Sequence, residues 1–315
     1  MAYFEGVAII ICVNLMGVLG VSLLTGFTGI FSFGHAAYMA IGAYTSAIVV
    51  GRFGMPFVVG LIAAALVATA ASLIIGYPTL RLVGDYFAIA ALGFGEATRL
   101  LLDNGGDFTG GPRGFVGVPR HTTLLIAAVI VAVGVLVMRN IIGSRFGRSF
   151  LAIREDRLAA EAMGIDTARF RILSLAISAA YAGVAGSMFA HYLMYLQPVM
   201  FDINKSTELA STVVFGGLGS LTGSVLACII LTAIPELFRP FYLWRMVFYG
   251  LALVSTIVLR PQGLLGSYEF SVAGLRRRLA GRRLAGSPSH RAAEGDAVRA
   301  DAGPRGGARD GGGLP

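Results

Sequence analysis

The residues able to do chemistry in this 315-residue chain are few, and most stand inside apolar runs. His35 lies in Ser32-Phe33-Gly34-His35-Ala36. Glu96 reads as the one acidic residue well inside a span, with Arg99 a turn later at a spacing where side chains meet. Ionisable groups at membrane depth mark transport paths or helix-to-helix bonds. For His35 the bridging role is favoured, because no other histidine or carboxylate nearby in sequence completes a proton relay. Glu96 and Arg99 read as an ion pair, and Arg99 could also reach a membrane surface along its stem. His191 falls near the end of its run, where an interfacial role suffices. Catalysis finds no support: Ser32, Thr45 and Ser46 lack a base at sensible reach, and no HExxH pattern occurs. A phosphate-cradling loop needs G-x-x-x-x-G-K-[ST]. The only lysine, Lys205, follows Asn204 with no glycine run before it, so this chain does not hydrolyse ATP itself. Cys12 and Cys228 sit in apolar runs and imply neither a disulfide framework nor a metal site.

A second kind of chemistry, recognition, is concentrated in residues 139–171, RNIIGSRFGRSFLAIREDRLAAEAMGIDTARFR. Seven arginines accompany Glu155, Asp156, Glu161 and Asp166 between two long apolar runs. A connector between membrane helices can be five residues long, so a segment of this length and mixed charge reads as a docking surface for a cytoplasmic partner. Asp156 can cap a helix and Gly164 can end it, leaving 157–163 as two turns. Leu158, Ala162 and Ile165 then form an apolar strip at helical spacing, surrounded by Arg154, Arg157, Glu155 and Glu161. A solvated amphipathic helix resting on headgroups is the alternative.

The elements that position these groups are transmembrane helices. The chain is 56% hydrophobic and 13% charged, where soluble domains carry about 25% charged residues. Apolar runs of the length needed to cross the hydrocarbon core recur, without the period-two alternation of a β-barrel. The sequence therefore predicts an all-α polytopic membrane protein. Its predicted spans are 6–25, 30–50, 57–77, 86–102, 122–142, 172–196, 206–235 and 241–259. The first lacks a basic lead and an A-x-A site, and reads as a retained helix rather than a signal peptide. Residues 1–270 form the membrane domain. Residues 271–315 read as a basic, disordered tail, with nine arginines in 276–315. Arginine is confined to particular segments, which makes it a topology signal rather than a nucleic-acid signal. It places 139–171 and the tail in the cytoplasm.

That placement creates a parity conflict, since three simple spans after residue 171 would leave the tail outside. A broken or re-entrant hairpin at 206–235 removes it. The run Phe215-Gly216-Gly217-Leu218-Gly219-Ser220 disfavours an uninterrupted helix. A first arm of about ten residues, roughly 15 Å, is too short to span. Broken helices of this kind line transport paths. An ordinary Gly-kinked span is the alternative. Alanine and glycine at Ala63, Ala64, Ala65, Ala68, Ala70 and Ala71, and across 179–186, predict close helix packing.

Several motifs recur in a familiar order: TGFTGIFSFGHAAYMAIGAYTSAIVV at 25–50, RLVGDYFAIAALGFGEATR at 81–99, FTGGPRG at 108–114, AIRED with AAEAMGI at 152–165, and RPQGLLG at 260–266. Together they resemble the permease subunit of branched-chain amino acid ABC importers, the LivM family, over about residues 10–266. The resemblance implies about eight transmembrane segments plus the broken hairpin in a type II ABC importer permease fold, in a bacterial inner membrane. It also leads one to expect a further apolar segment ahead of residue 1. It implies a second, related permease as a heterodimer partner, two cytoplasmic ATPase subunits, and an extracytoplasmic substrate-binding protein. No cofactor is held by this chain, since ATP and Mg belong to the ATPase. On this reading the ATPase-coupling residues are Arg154, Glu155, Asp156, Ala160, Glu161, Gly164 and Ile165. The translocation pathway passes near Ser32, His35, Glu96, Gly216, Gly217, Gly219 and Ser220. The Gly-rich stretch 105–117 is a compact external turn cluster facing the binding protein.

The expected function is import of branched-chain, hydrophobic amino acids driven by a separate ATPase. Import of urea or short amides by a related permease is the nearest alternative. A secondary transporter or channel is the alternative from a different class. It calls for buried coupling carboxylates and leaves the 139–171 segment unexplained.

Overall fold

A computed structural model of the chain describes residues 2–80, 82, 84–237, 250, 254 and 263. The chain divides into two units, Met1–Glu269 and Phe270–Pro315, and the described residues all belong to the first. The predicted span at 241–259, apart from residues 250 and 254, lies outside the described residues, as do Arg81, the basic tail and, apart from Gly263, the RPQGLLG motif.

The helices, in chain order, are α1 (Ala2–Val21), α2 (His35–Gly51), α3 (Phe57–Thr79), α4 (Asp85–Asp103), the single turn α5 (Gly106–Thr109), α6 (Leu124–Gly143), α7 (Arg145–Glu155), α8 (Arg157–Ala162), α9 (Thr167–Leu193), α10 (Ile203–Gly216) and α11 (Leu221–Leu237). α1 continues as a π-helical segment, Ser22–Phe27. Among the described residues, four helices are long and apolar enough to cross a membrane: Tyr3–Phe27, Phe57–Thr79, Leu124–Gly143 and Thr167–Leu193. α2 is shorter at 17 residues, and α4 carries Glu96, Arg99 and Asp103.

Local chemistry sets where these helices begin. Thr123, Ser144, Asp156, Asp166 and Asp202 stand just before α6 to α10, and each side-chain oxygen accepts an amide from the first turn. The predicted span at 30–50 starts later than expected, at His35. Residues 28–34 are extended or bent: Gly26, Gly29 and Gly34 interrupt the run, the Thr28 hydroxyl joins its own amide on Leu23 O, and the Thr25 hydroxyl reaches Ile30 O.

α9 is the axis of the bundle, packed by α1, α2 and α3. Only one row of α3 is buried, Gly60, Ala64, Ala68, Ser72 and Gly76, spaced four apart. Of the alanines expected to pack in α3, Ala64 and Ala68 therefore do so, while Ala70 is exposed. Backbones touch where side chains vanish: a Cβ on Gly183 would meet Ala64 O at 2.6 Å. Such close approach replaces the hydrophobic drive that lipid removes.

Two ends of the bundle are distinct. One carries α7, α8 and the α10–α11 turn. The other carries the 104–123 loop, where the two-residue strands β1 (Phe115–Val116) and β2 (Tyr195–Leu196) pair antiparallel, Phe115 opposite Leu196. There the Arg52 guanidinium lies 5.4 Å from the ring centroids of both Phe108 and Phe115.

Candidate functional site

The charged connector folds into two helices rather than one. α7 has Ser144 at its head, its hydroxyl accepting the Phe146 amide at 3.2 Å. Phe150 and Ile153 are buried, and Phe150 meets the Phe170 ring edge-on at 6.0 Å between centroids. α7 is thus a packed platform, which the sequence reading passed over. α8 follows after one residue. Asp156 Oδ1 accepts the Ala159 amide at 3.0 Å. At the other end the Gly164 amide bonds Glu161 O and the Ile165 amide bonds Ala160 O, both at 3.0 Å. Gly164 has φ +83, the left-handed residue of a Schellman cap.

The expected apolar strip is rearranged. Ala160 is the buried residue and Ile165 is half-buried, whereas Ala162 is exposed and Leu158 and Met163 stand 76% and 82% exposed. The six-residue helix rolls so that its smallest inward residue, Ala160, lets it lie close to the bundle, and the two large apolar side chains face away. Glu161 is held from two sides. The Thr167 hydroxyl donates to its Oε1 at 2.5 Å and Arg157 Nε at 3.0 Å. The Thr167 hydrogen bond first, then Arg157, hold this carboxyl below the ordinary carboxylate range. Glu155 is exposed. Arg154 turns inward: its Nη1 donates to the Gly26 carbonyl at 2.7 Å.

The seven residues expected near a pathway fall into three places. Glu96 lines a cavity of about 170 Å³ with Phe33, Leu92, Gly95, Phe201, Asp202, Ile203 and Ser206. It pairs with Arg99, which in turn lies 3.6 Å from Asp103. The Glu96 side chain is 46% exposed. Ser206 Oγ accepts the Ala36 amide at 3.0 Å, joining the head of α2 to α10.

His35 and Ser32 form the second place, beside the cavity rather than in it. The Ser178 hydroxyl donates to Gly20 O at 2.7 Å, so it accepts from His35 Nε2 at 2.6 Å. A neutral imidazole with its proton on Nε2 fits that chain, and His35 clasps α2, α9 and α1. Ser32 Oγ accepts the Gly34 amide. The third place is the turn after Gly216. α10 ends there, Gly217 and Gly219 take φ +107 and +87, and the Ser220 hydroxyl accepts the Gly223 amide to open α11. The helix break expected at the glycines is present.

Further ionisable groups are bonded within the bundle. Glu208 on α10 pairs with Lys205 at 3.0 Å, and Lys205 Nζ also donates to Asn14 on α1 at 2.9 Å. The i, i+3 spacing of Lys205 and Glu208 was the available signal. His191 lies in the last turn of α9 and is buried within the protein. Its Nδ1 donates to Pro119 O at 2.9 Å, leaving Nε2 to accept from Ser46 at 3.0 Å, and Ser187 donates to Ser46 at 2.8 Å. A second cavity, about 320 Å³, is lined by apolar side chains of α1, α3, α6 and α9, with the Tyr181 hydroxyl given to Gly134 O.

A family model described as the branched-chain amino acid transport system / permease component matches residues 3–257. The chain belongs to this permease family. It is 34% identical to the high-affinity branched-chain amino acid transport system permease protein LivM of Escherichia coli (strain K12), over 78% of this chain and 66% of that protein. LivH of Salmonella typhimurium is 24% identical over 80% of this chain and 90% of its own length. A probable LivH of Methanocaldococcus jannaschii is 24% identical, over 79% and 87%. The chain thus spans slightly under two thirds of the LivM relatives it matches. No solved structure matches it.

As a member of the branched-chain amino acid permease family with several long apolar helices, the chain is a multi-pass inner-membrane protein. Membership gives the partly exposed Glu96–Arg99–Asp103 group a physical constraint. Charge of this kind does not face hydrocarbon, so this face of α4 meets protein or water.

Proposed function

We propose that this chain is the membrane-spanning permease subunit of an ATP-binding cassette importer for branched-chain amino acids. The observation that carries the reading is α8: a helix capped at both ends, holding Leu158 and Met163 outward and exposed among the described residues, on the end of the bundle that bears the arginine-rich connector. Helix-in-groove docking uses such projecting apolar anchors. The ATPase supplies ATP and Mg chemistry, since the chain has no phosphate-binding lysine loop. Two ATPase subunits, one beneath each permease, take up Leu158 and Met163, with Glu155 and Arg157 at the rim. Asp156, Ala160, Glu161, Gly164 and Ile165 act by shaping α8.

The second permease packs against α4, the pathway runs between the two, and the cavity holding Glu96 opens onto it. α10 and α11 enter and leave the membrane on the extracytoplasmic side, which keeps the tail cytoplasmic within about eight spans of type II character. The 104–123 loop at that end receives the substrate-binding protein. ATP-driven approach of the two α8 helices exchanges inward and outward access.

The test is ATP-driven uptake in proteoliposomes holding the permease pair, the ATPase and the binding protein, with labelled leucine, isoleucine, valine and urea. Uptake of the branched-chain amino acids that requires ATP and excludes urea is expected. Uptake of urea alone, or amino-acid uptake with no ATPase present, would sink the assignment.

A further inference from the structure

Arg154 is the penultimate residue of α7, yet its guanidinium points into the bundle and not at the surface α8 presents. Nη1 donates to Gly26 O at 2.7 Å. Carbonyls in the last turn of a helix run out of backbone donors, and the amides of Thr28 and Ile30 are taken by Leu23 and Leu24. The side chain fills a slot made by three glycines from three segments. A Cβ on Gly29 would meet Arg154 Cγ at 3.1 Å, and one on Gly219 would overlap Arg154 Nη1. Gly26 itself faces Gly219, whose amide nitrogen would lie 3.1 Å from a Cβ there. One side chain therefore touches the end of α1, the 28–34 segment and the α10–α11 turn together.

Both interrupted elements lead to the cavity. The 28–34 segment runs from Gly29 to Phe33, which forms part of the cavity wall. α10 runs from Ile203 and Ser206 at the wall to the turn holding Gly219, a rigid lever of 14 residues, about 21 Å. The Ser206–Ala36 bond ties the two walls to one another.

We propose that Arg154 is the strut through which the α7–α8 connector moves both walls of the cavity. It is a positioning residue for transport and not a contact for the ATPase. The proposal rests on α8 being where the ATPase docks. Displacement of α7 carries the guanidinium with it. Gly26 and Gly219 follow, because the side chain is bonded to one and packed against the other, and packed elements switch between discrete arrangements rather than deform smoothly. A planar fork with several donors suits this place better than a single ammonium.

The experiment compares wild type, Arg154→Ala and Arg154→Lys in the complete reconstituted complex. It reads ATPase co-purification and labelled leucine imported per ATP hydrolysed. Arg154→Ala should retain the ATPase at wild-type stoichiometry, while import per ATP falls at least tenfold. Arg154→Lys should fall between. An alanine variant that imports at the wild-type ratio, or one that loses the ATPase, overturns the strut. If the alanine variant does not assemble, Arg154→Lys carries the test, since it keeps the cation and leaves the three glycines untouched. A reduced ratio there supports the strut and a wild-type ratio overturns it. An α8 deletion in an otherwise wild-type complex that leaves the ATPase bound would sink the docking reading, and the strut with it.

Discussion

Replacing Gly164 isolates the backbone contribution of the docking helix. Gly164 has φ +83, and a Cβ built on it meets nothing within 4 Å. Gly164→Ala therefore adds no clash, and its cost is that of a non-glycine residue in the left-handed region, about 1–2 kcal/mol. That corresponds to a factor of roughly 5–30 in the equilibrium for forming the cap. α8 has six residues, too few to be stable as an isolated helix. It is held by Asp156, by the Glu161–Thr167 bond and by the two amides of the Gly164 cap. The ATPase affinity falls with the fraction of connector in the capped form, by up to the same factor. Gly164→Asn tolerates the left-handed region and should recover most of the loss. The assay is ATPase titration against the reconstituted permease pair, with substrate-stimulated hydrolysis as the second readout and ligand affinity of the binding protein as the control. Wild-type hydrolysis in Gly164→Ala would refute the reasoning. So would equal defects in the alanine and asparagine variants, since backbone geometry would then not be the cause.

Other substitutions separate local from global effects. Glu161 has a lowered pKa, so its contribution to the α8 fold is complete above the ordinary carboxylate value and is lost only as pH falls through the lowered one. The hydrolysis ratio of wild type to Glu161→Gln should therefore stay constant from neutral pH down to the ordinary carboxylate range, measured as a pH profile. Gly183→Ala places a methyl 2.6 Å from Ala64 O and 2.8 Å from Ala68 Cβ, and should lower thermal stability by about 1–3 kcal/mol, read as a drop in melting temperature in detergent. Gly93 on α4 is exposed, with nothing near its Cβ among the described residues. Gly93→Leu should leave the isolated chain as stable as wild type and lower co-purification of the second permease. Unaltered pairing would move the second permease to another face.

What was legible in the chain beforehand follows the range of the interaction. The cap at Asp156, the stop at Gly164 and the break at Gly217 and Gly219 are set by groups within a few residues, and propensity reads them directly. The pairing of Glu96 with Arg99 is of the same kind. The roll of α8 was not legible, because it depends on which residue the bundle has room for, and Ala160 was chosen by its neighbours rather than by its period. Ser178 lies 143 positions from the His35 it binds. The inward turn of Arg154 shows the limit most clearly. Charge alone puts an arginine in a basic connector at the surface, and nothing local says otherwise. Its destination depends on the absence of side chains at Gly26 and Gly29 and, some 190 positions later, at Gly219, each explicable on its own as a helix breaker. The same three glycines thus do two things: they interrupt the helices and they clear the slot. A side chain at Gly29 or Gly219 would press on Arg154 itself, and one at Gly26 would press on the Gly219 turn. That is why the strut is tested by ratio, import against hydrolysis, and not by loss of either alone.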